Sequence, residues 1–242
     1  KKKKLDILYE DDQILFVNKP VGMLSQKAKA DDISLNEYII SYLLEKKELT
    51  QQDLARFQPS ICNRLDRNTS GIVAAGKTIA GLQMLSGIFK DRTVHKYYRC
   101  IVKGQILKEQ KIEGYLRKEE KKNQVFIEKE QSDNASWICT AYRPLEIFPQ
   151  YTYLEVELIT GRSHQIRAHL ASIGHPLLGD TKYGDEKVNR RCKERYHLTS
   201  QLLHCARLEM PVLEEKFSYM SKKVLHAPLP EQFQKILKDL KV

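Results

Sequence analysis

Nine residues, Asn63 to Gly71, hold the side chains most suited to chemistry: Asn-Arg-Leu-Asp-Arg-Asn-Thr-Ser-Gly. They set one carboxylate, Asp66, between two arginines, Arg64 and Arg67. Nearby positive charge favours the ionised form of a carboxylate, so Asp66 is expected to carry its charge at neutral pH. Asn68, Ser70 and Gly71 are residues that bend the backbone sharply. The stretch therefore predicts a rigid loop presenting an ionised Asp beside cations, which suits chemistry on an anionic polymer. Taken by itself, such a loop is more often a plain surface segment with ordinary Arg-Asp pairs.

A second run, Leu158 to Gly184, reads LITGRSHQIRAHLASIGHPLLGDTKYG. Ser163 to Ile173 predicts a helix with Ile166, Leu170 and Ile173 inward and Gly174 as its stop. Arg167 stands on that helix, and a guanidinium can hold a carboxylate through two parallel hydrogen bonds. The turn Gly161-Arg162-Ser163 just upstream would bring the helix N-terminus near any anion. The competing reading of Arg167 is an exposed helix arginine.

Two further stretches complete a pattern. Tyr9 to Gly22 reads YEDDQILFVNKPVG, and His95 to Gly104 reads HKYYRCIVKG. The four segments, in this order, resemble the RluA-type pseudouridine synthase family. That family carries YEDxxLxVxNKPxG, then HRLDRDTSG, then a strand with a Lys-x-Tyr element, then TGRTHQIRxHL followed by GHPLLGDxxYG. The resemblance spans nearly the whole chain, and four ordered matches are far more specific than one.

What the resemblance implies is an α+β fold, a central mixed or antiparallel sheet of two related halves flanked by helices, with an RNA-binding cleft between the halves. It implies isomerisation of uridine to pseudouridine in RNA, large-subunit (23S) ribosomal RNA first and transfer RNA as the rival substrate. Asp66 is then the catalytic carboxylate and Arg167 the arginine that pairs with it. Tyr97 is taken as the tyrosine near the flipped base; Tyr98 is adjacent and points to the opposite face of a strand. Arg64 would enter the space the base leaves. Arg67, Arg162, His164 and Gln165, from the same motifs, are the remaining candidate RNA contacts. Gly179, Asp180 and Tyr183 are expected to shape a neighbouring loop. The sequence departs from the family at Asn63 and Asn68, where His and Asp are usual. A binding protein on the same scaffold without catalysis is the alternative of another class, and a pure binder would have no need of Asp66.

Bulk properties agree with an RNA partner. Lys and Arg number 41 against 31 Asp and Glu, a net charge of +10. The basic residues cluster at Lys1 to Lys4, at Lys118 with Lys121 and Lys122, and from Lys187 through Arg195. Such a balance fits a polyanion, although solubility charge would look the same. The five cysteines are scattered and odd in number, without a Cys-x-x-Cys pair. Reduced cytoplasmic thiols are the simplest account. No metal site is expected, since His164 and His169 are five apart and do not share a helix face. No cofactor, no membrane span and no signal peptide are expected, and a monomer is. The 242 residues suffice for one catalytic domain over 1–242. Larger family members carry a small S4 RNA-binding domain before it, and one upstream of Lys1 is left open.

The elements that must position these residues follow from periodicity. Ile7 to Tyr9 and Ile14 to Val17 predict a hairpin. Ser34 to Lys47 predicts a helix opened by a Ser34–Glu37 capping box, and Thr78 to Phe89 a second. Val94 to Val102, Gln124 to Glu128, Trp137 to Tyr142, Leu154 to Ile159 and Leu202 to Leu208 predict strands. In the fourth of these, Leu154, Val156 and Leu158 alternate with Glu155 and Glu157, predicting one buried and one wet face. Glu231 to Leu240 predicts a closing helix. Strands and helices do not alternate one-to-one, which argues for α+β against a doubly wound parallel fold.

Overall fold

The computed structural model describes residues 4–242; Lys1 to Lys3 of the basic opening lie outside the described residues. The chain forms two compact units. Among the described residues unit 1 comprises 4–94 and 206–228, and unit 2 comprises 95–205 and 229–242. Both are α+β, as expected, and the strand pairs within each are antiparallel.

Unit 1 begins with the predicted hairpin, β1 (Ile7–Glu10) and β2 (Ile14–Lys19). Asp11 fixes its turn: one carboxylate oxygen accepts from the amides of Gln13 (2.7 Å) and Ile14 (3.0 Å). Helix α1 (Leu35–Glu45) starts at Ser34 with the expected capping box. A short α2 (Gln51–Arg56) and β3 (Ser60–Ile61) follow. Then comes β4 (Ser70–Gly76), which pairs with β2 from Gly71 opposite Lys19 to Gly76 opposite Ile14. Every residue of β4 is buried, so the strand shows no alternation. Helix α3 (Ile79–Lys90) is capped by the Thr78 hydroxyl, which accepts from the Gly81 amide, and it packs on β4.

Unit 2 is built on antiparallel strands in the spatial order β5 (His95–Lys103), β9 (Tyr151–Leu158), β8 (Ala135–Ile147), β6 (Gln110–Glu119), β7 (Gln124–Glu128). Helix α4 (Gln165–Ser172) packs on β7 and β8. Helices α5 (Glu186–Tyr196) and α6 (Glu231–Leu240) enclose a second core, with Val188, Cys192, Phe233, Ile236 and Leu237 against Ile101 and Tyr153. The chain returns to unit 1 within β10 (Leu203–Glu209), whose far end pairs with β11 (Val224–His226).

The wet face expected for β9 is not wet at Glu155, which is 4% exposed. Arg99 of β5 and Arg143 of β8 reach it at 3.0 Å from either side. Cross-strand charge pairing thus lets a glutamate occupy a covered face. No helix among the described residues is long and apolar enough to cross a membrane.

Candidate active site

Asp66 lies in unit 1, in the loop between β3 and β4, and this loop is tied down at almost every residue. Its own turn closes when the Thr69 amide donates to the Asp66 carbonyl (3.0 Å). The Leu65 side chain is buried. The Leu65 backbone is gripped by Ser25, whose hydroxyl donates to the Leu65 carbonyl (2.6 Å) and accepts from the Leu65 amide (3.0 Å). Gly71, the second residue of β4, has φ +121°, a backbone conformation that side chains rarely permit.

Lys19, at the end of β2, is the central tie. Its side chain is fully buried. The ammonium donates to the carbonyls of Pro20 (3.0 Å), Met23 (2.7 Å) and Arg67 (3.0 Å). The Gly22 amide also donates to the Arg67 carbonyl, at 2.9 Å. Burial pulls the Lys19 ammonium down to about 7, and the Asp66 carboxylate pushes the other way. A charge buried among backbone carbonyls holds residues 20–23 and 65–69 in one arrangement.

The flanking residues divide. Arg64 and Arg67 are exposed. Arg64 reaches Gln26 at 3.5 Å, and Arg67 acts on the Asp32 carboxylate. Asn63, one of the two departures, is not presented to a ligand. Its amide donates to the Ile72 carbonyl (3.1 Å) and its oxygen accepts from the Ala74 amide (2.8 Å), so it clamps the loop to β4.

In unit 2, helix α4 carries Arg167. The guanidinium is 7% exposed and is held by Asp180, Nε to Oδ2 at 2.7 Å and Nη2 to Oδ1 at 3.0 Å. The ring of Tyr183 lies 5.2 Å from its central carbon. Asp180 is itself only 1% exposed and accepts from the amides of Lys182 and Tyr183, both at 3.0 Å. Burial pushes its carboxyl upward, but Arg167 and these amides outweigh that and hold it below the usual range. The Gly-Asp-Thr-Lys-Tyr segment is therefore the seat of Arg167, a role more specific than loop shaping.

His164 begins α4 in the left-handed region, at φ 58°, a conformation costly for a residue with a side chain. Its Nδ1 lies 2.7 Å from the Tyr183 hydroxyl. Arg162 is exposed just before it. Gln165 corrects the expectation of an RNA contact, because it is 2% exposed. Its oxygen accepts from the Thr160 hydroxyl (2.8 Å) and the Arg162 amide (3.1 Å). Its nitrogen donates to the Cys139 carbonyl and the Thr140 hydroxyl, both at 3.0 Å. It is a fastener of the turn before α4. The helix is also shorter than expected, and Ile173 lies beyond it and is exposed.

The tyrosine needs a second correction. Counted from Lys96, a Lys-x-Tyr element puts its tyrosine at Tyr98, not at Tyr97. The sheet supports the shift. Tyr98 faces Val156, which faces Tyr142, on the side where Thr140 bonds Gln165 and His169 of α4. Tyr97 faces Glu157 on the opposite side, next to His95 and Arg99. Only Tyr98 shares a sheet face with the helix of Arg167.

A family described as RNA pseudouridylate synthase matches residues 13–172. The chain is 31% identical over 238 residues to ribosomal large subunit pseudouridine synthase C of Vibrio vulnificus, covering 97% of this chain and 69% of that protein. It is 30% identical over 218 residues to transfer RNA pseudouridine synthase C of Salmonella typhi, covering 85% and 80%. Against ribosomal large subunit pseudouridine synthase D of Borreliella burgdorferi, at 32% identity, it spans 62% of the relative's length. Human RNA pseudouridylate synthase domain containing 4 shares the fold, with TM-score 0.77, 23% identity, and 98% and 93% of the two chains covered. The chain belongs to the RNA pseudouridylate synthase family.

Proposed function

We propose that this chain converts uridine to pseudouridine at a defined site in RNA, most readily in large-subunit ribosomal RNA, with Asp66 as the reacting carboxylate. The observation that carries the reading is the fastening of the Asp66 loop through Lys19, Ser25 and Asn63. Such fastening gives a reacting group fixed geometry, and an unreactive surface loop has no use for it.

The reaction breaks the C1′–N1 bond, turns the uracil and rejoins it through C5. A stacked uridine must first be flipped out of the RNA. Asp66 then acts at the junction of sugar and base. Arg167, seated on Asp180 and Tyr183, is the arginine that the motif match assigns to that carboxylate, and Tyr98 is the residue assigned to the free base and its C5 proton. Arg64, Arg67, Arg162 and His164 are the polar groups offered to the RNA. Transfer RNA is the second substrate, since a transfer RNA enzyme matches this chain over more of its own length than the ribosomal ones do. The free thiols of all five cysteines suit a reducing cytoplasm.

Asp66→Asn tests the assignment. The change keeps the side chain's shape and removes the charge. Tritium release from C5-labelled uridine is expected to vanish, while RNA affinity, which rests mainly on phosphate contacts, stays near wild type. Substantial release from the variant would sink the role of Asp66.

A further inference from the structure

Helix α5 has no part in the chemistry above, yet it is the densest run of cations in the fold. Within eleven residues it carries Lys187, Arg190, Arg191, Lys193 and Arg195, all exposed, against Glu186 and Glu194. Only Val188 and Cys192 on the opposite side are buried, in the core of unit 2.

As a free-standing helix it carries like-charge neighbours that Glu186–Arg190, Arg190–Glu194 and Arg191–Glu194 offset only in part. Lys187–Arg190, Lys187–Arg191, Arg190–Lys193 and Arg191–Arg195 are like charges three or four residues apart, spacings at which side chains meet and repel. Lys187 also sits in the first turn, at the positive end of the helix dipole. Several cations elsewhere are matched, Lys77 with Glu48, Arg117 with Glu128, Lys118 with Glu120 and Lys122 with Glu119. In α5 only Arg195 is, with Asp239 at 2.9 Å. Among the described residues Lys187, Arg190, Arg191 and Lys193 form no ion pair.

We propose that α5 is a docking surface for the sugar-phosphate backbone of the substrate RNA, engaging phosphates other than those of the target nucleotide. Charge complementarity selects this occupant. At a rise of ~1.5 Å per residue, Lys187 and Lys193 lie about 9 Å apart along the axis, so the four cations form a short track rather than a point site. A track of charge without a shaped pocket reads phosphates by number and not by sequence. Bound phosphates would also relieve the repulsion within the helix. The proposal rests on RNA being the substrate.

The test replaces Lys187, Arg190, Arg191 and Lys193 together by Gln, which retains helix propensity and opens no core position. The control replaces four exposed cations elsewhere, Lys90, Lys108, Lys129 and Lys238, also by Gln. Filter binding to a full-length large-subunit ribosomal RNA transcript and to total transfer RNA is measured across salt, with thermal unfolding to confirm folding. For the α5 variant, affinity at low salt is expected to fall about tenfold or more, and the slope of log affinity against log salt to become shallower by about 3. KM should rise with Kd while kcat at saturating RNA holds. Overturning results are a Kd shift no larger than the control's, or a shift indifferent to salt. Wild-type protein that binds RNA but releases no tritium from either would sink the isomerase reading and leave the docking comparison readable.

Discussion

At the scale of single residues, two positions carry consequences that their sequence motifs did not display. Asp180 is the seat of Arg167, so Asp180→Asn should leave a buried guanidinium with a weakened partner. Breaking a buried pair costs on the order of 3–5 kcal/mol, and the retained amide oxygen should keep this loss near the lower end. Because the Asp180 carboxyl is held below its ordinary value, its contribution is present above about pH 4 and fades as pH falls through the lower folded value. Urea unfolding of wild type and variant should therefore converge in acid, and an unchanged gap at pH 2–3 would contradict the seating role. Turnover should drop about 10–100-fold through misorientation of Arg167, with KM changed less. The second position is Tyr98. Tyr98→Phe should slow tritium release by about a hundredfold or more, and Tyr97→Phe by no more than about twofold. The reverse order would restore Tyr97 to the site. The candidate carboxylate Asp66 and the candidate arginine Arg167 could be named from sequence because their motifs are long and distinctive. Tyr97 was preferred to Tyr98 although a count from Lys96 would have separated them, and the sheet face decides it physically. Gln165 and Asn63 were illegible as fasteners, since their partners lie on strands that spacing alone does not bring near.

Among elements, periodicity found those with one wet and one apolar face and lost those too buried or too polar to show both. The hairpin, α1, α3, β7 and α6 were all visible from alternation, caps or an apolar stripe. Strand β4 was not, because with both faces covered it reads as a small-residue run, Ser-Gly-Ile-Val-Ala-Ala-Gly. Strand β6 was hidden by its lysines and glutamates, and α5 by having only two buried side chains. The small residues around β4 have a purpose. A Cβ at Gly81 would stand 2.1 Å from the Gln13 carbonyl oxygen, and one at Gly76 would stand 2.4 Å from the Leu82 Cα. Helix α3 thus meets the β1–β2 turn backbone to backbone. Gly81→Ala, ordinarily favourable in a helix, should here destabilise by about 1–3 kcal/mol as α3 is pushed off. A rise in the unfolding midpoint of Gly81→Ala would show that the helix has room to shift.

On the scale of the whole molecule, net charge pointed correctly to a polyanion but could not say which cations were available. The lysines at 118 and 122 are matched by glutamates, and those of α5 are not. Nor could the sequence show that neither unit is one continuous stretch. Removing everything after Pro228 takes Phe233, Ile236 and Leu237 out of the unit 2 core. At about 2–5 kcal/mol for each large apolar side chain lost, the total is comparable to the whole stability of a domain, about 5–15 kcal/mol. Such a truncated chain should lose protection of the β5, β8 and β9 amides from hydrogen exchange while β2 and β4 keep theirs. Persistence of protection in β8 and β9 would refute the dependence on α6. The crossing of the chain within β10 also bears on biosynthesis. Domains ordinarily fold in order as they leave the ribosome, N-terminal first. Here the first ninety-odd residues must wait for 206–228, which emerge only after nearly all of unit 2. The Asp66 loop is translated before unit 2, but its unit is completed only after 95–205 have been made, so the candidate carboxylate reaches its fastened geometry only once most of the other unit exists.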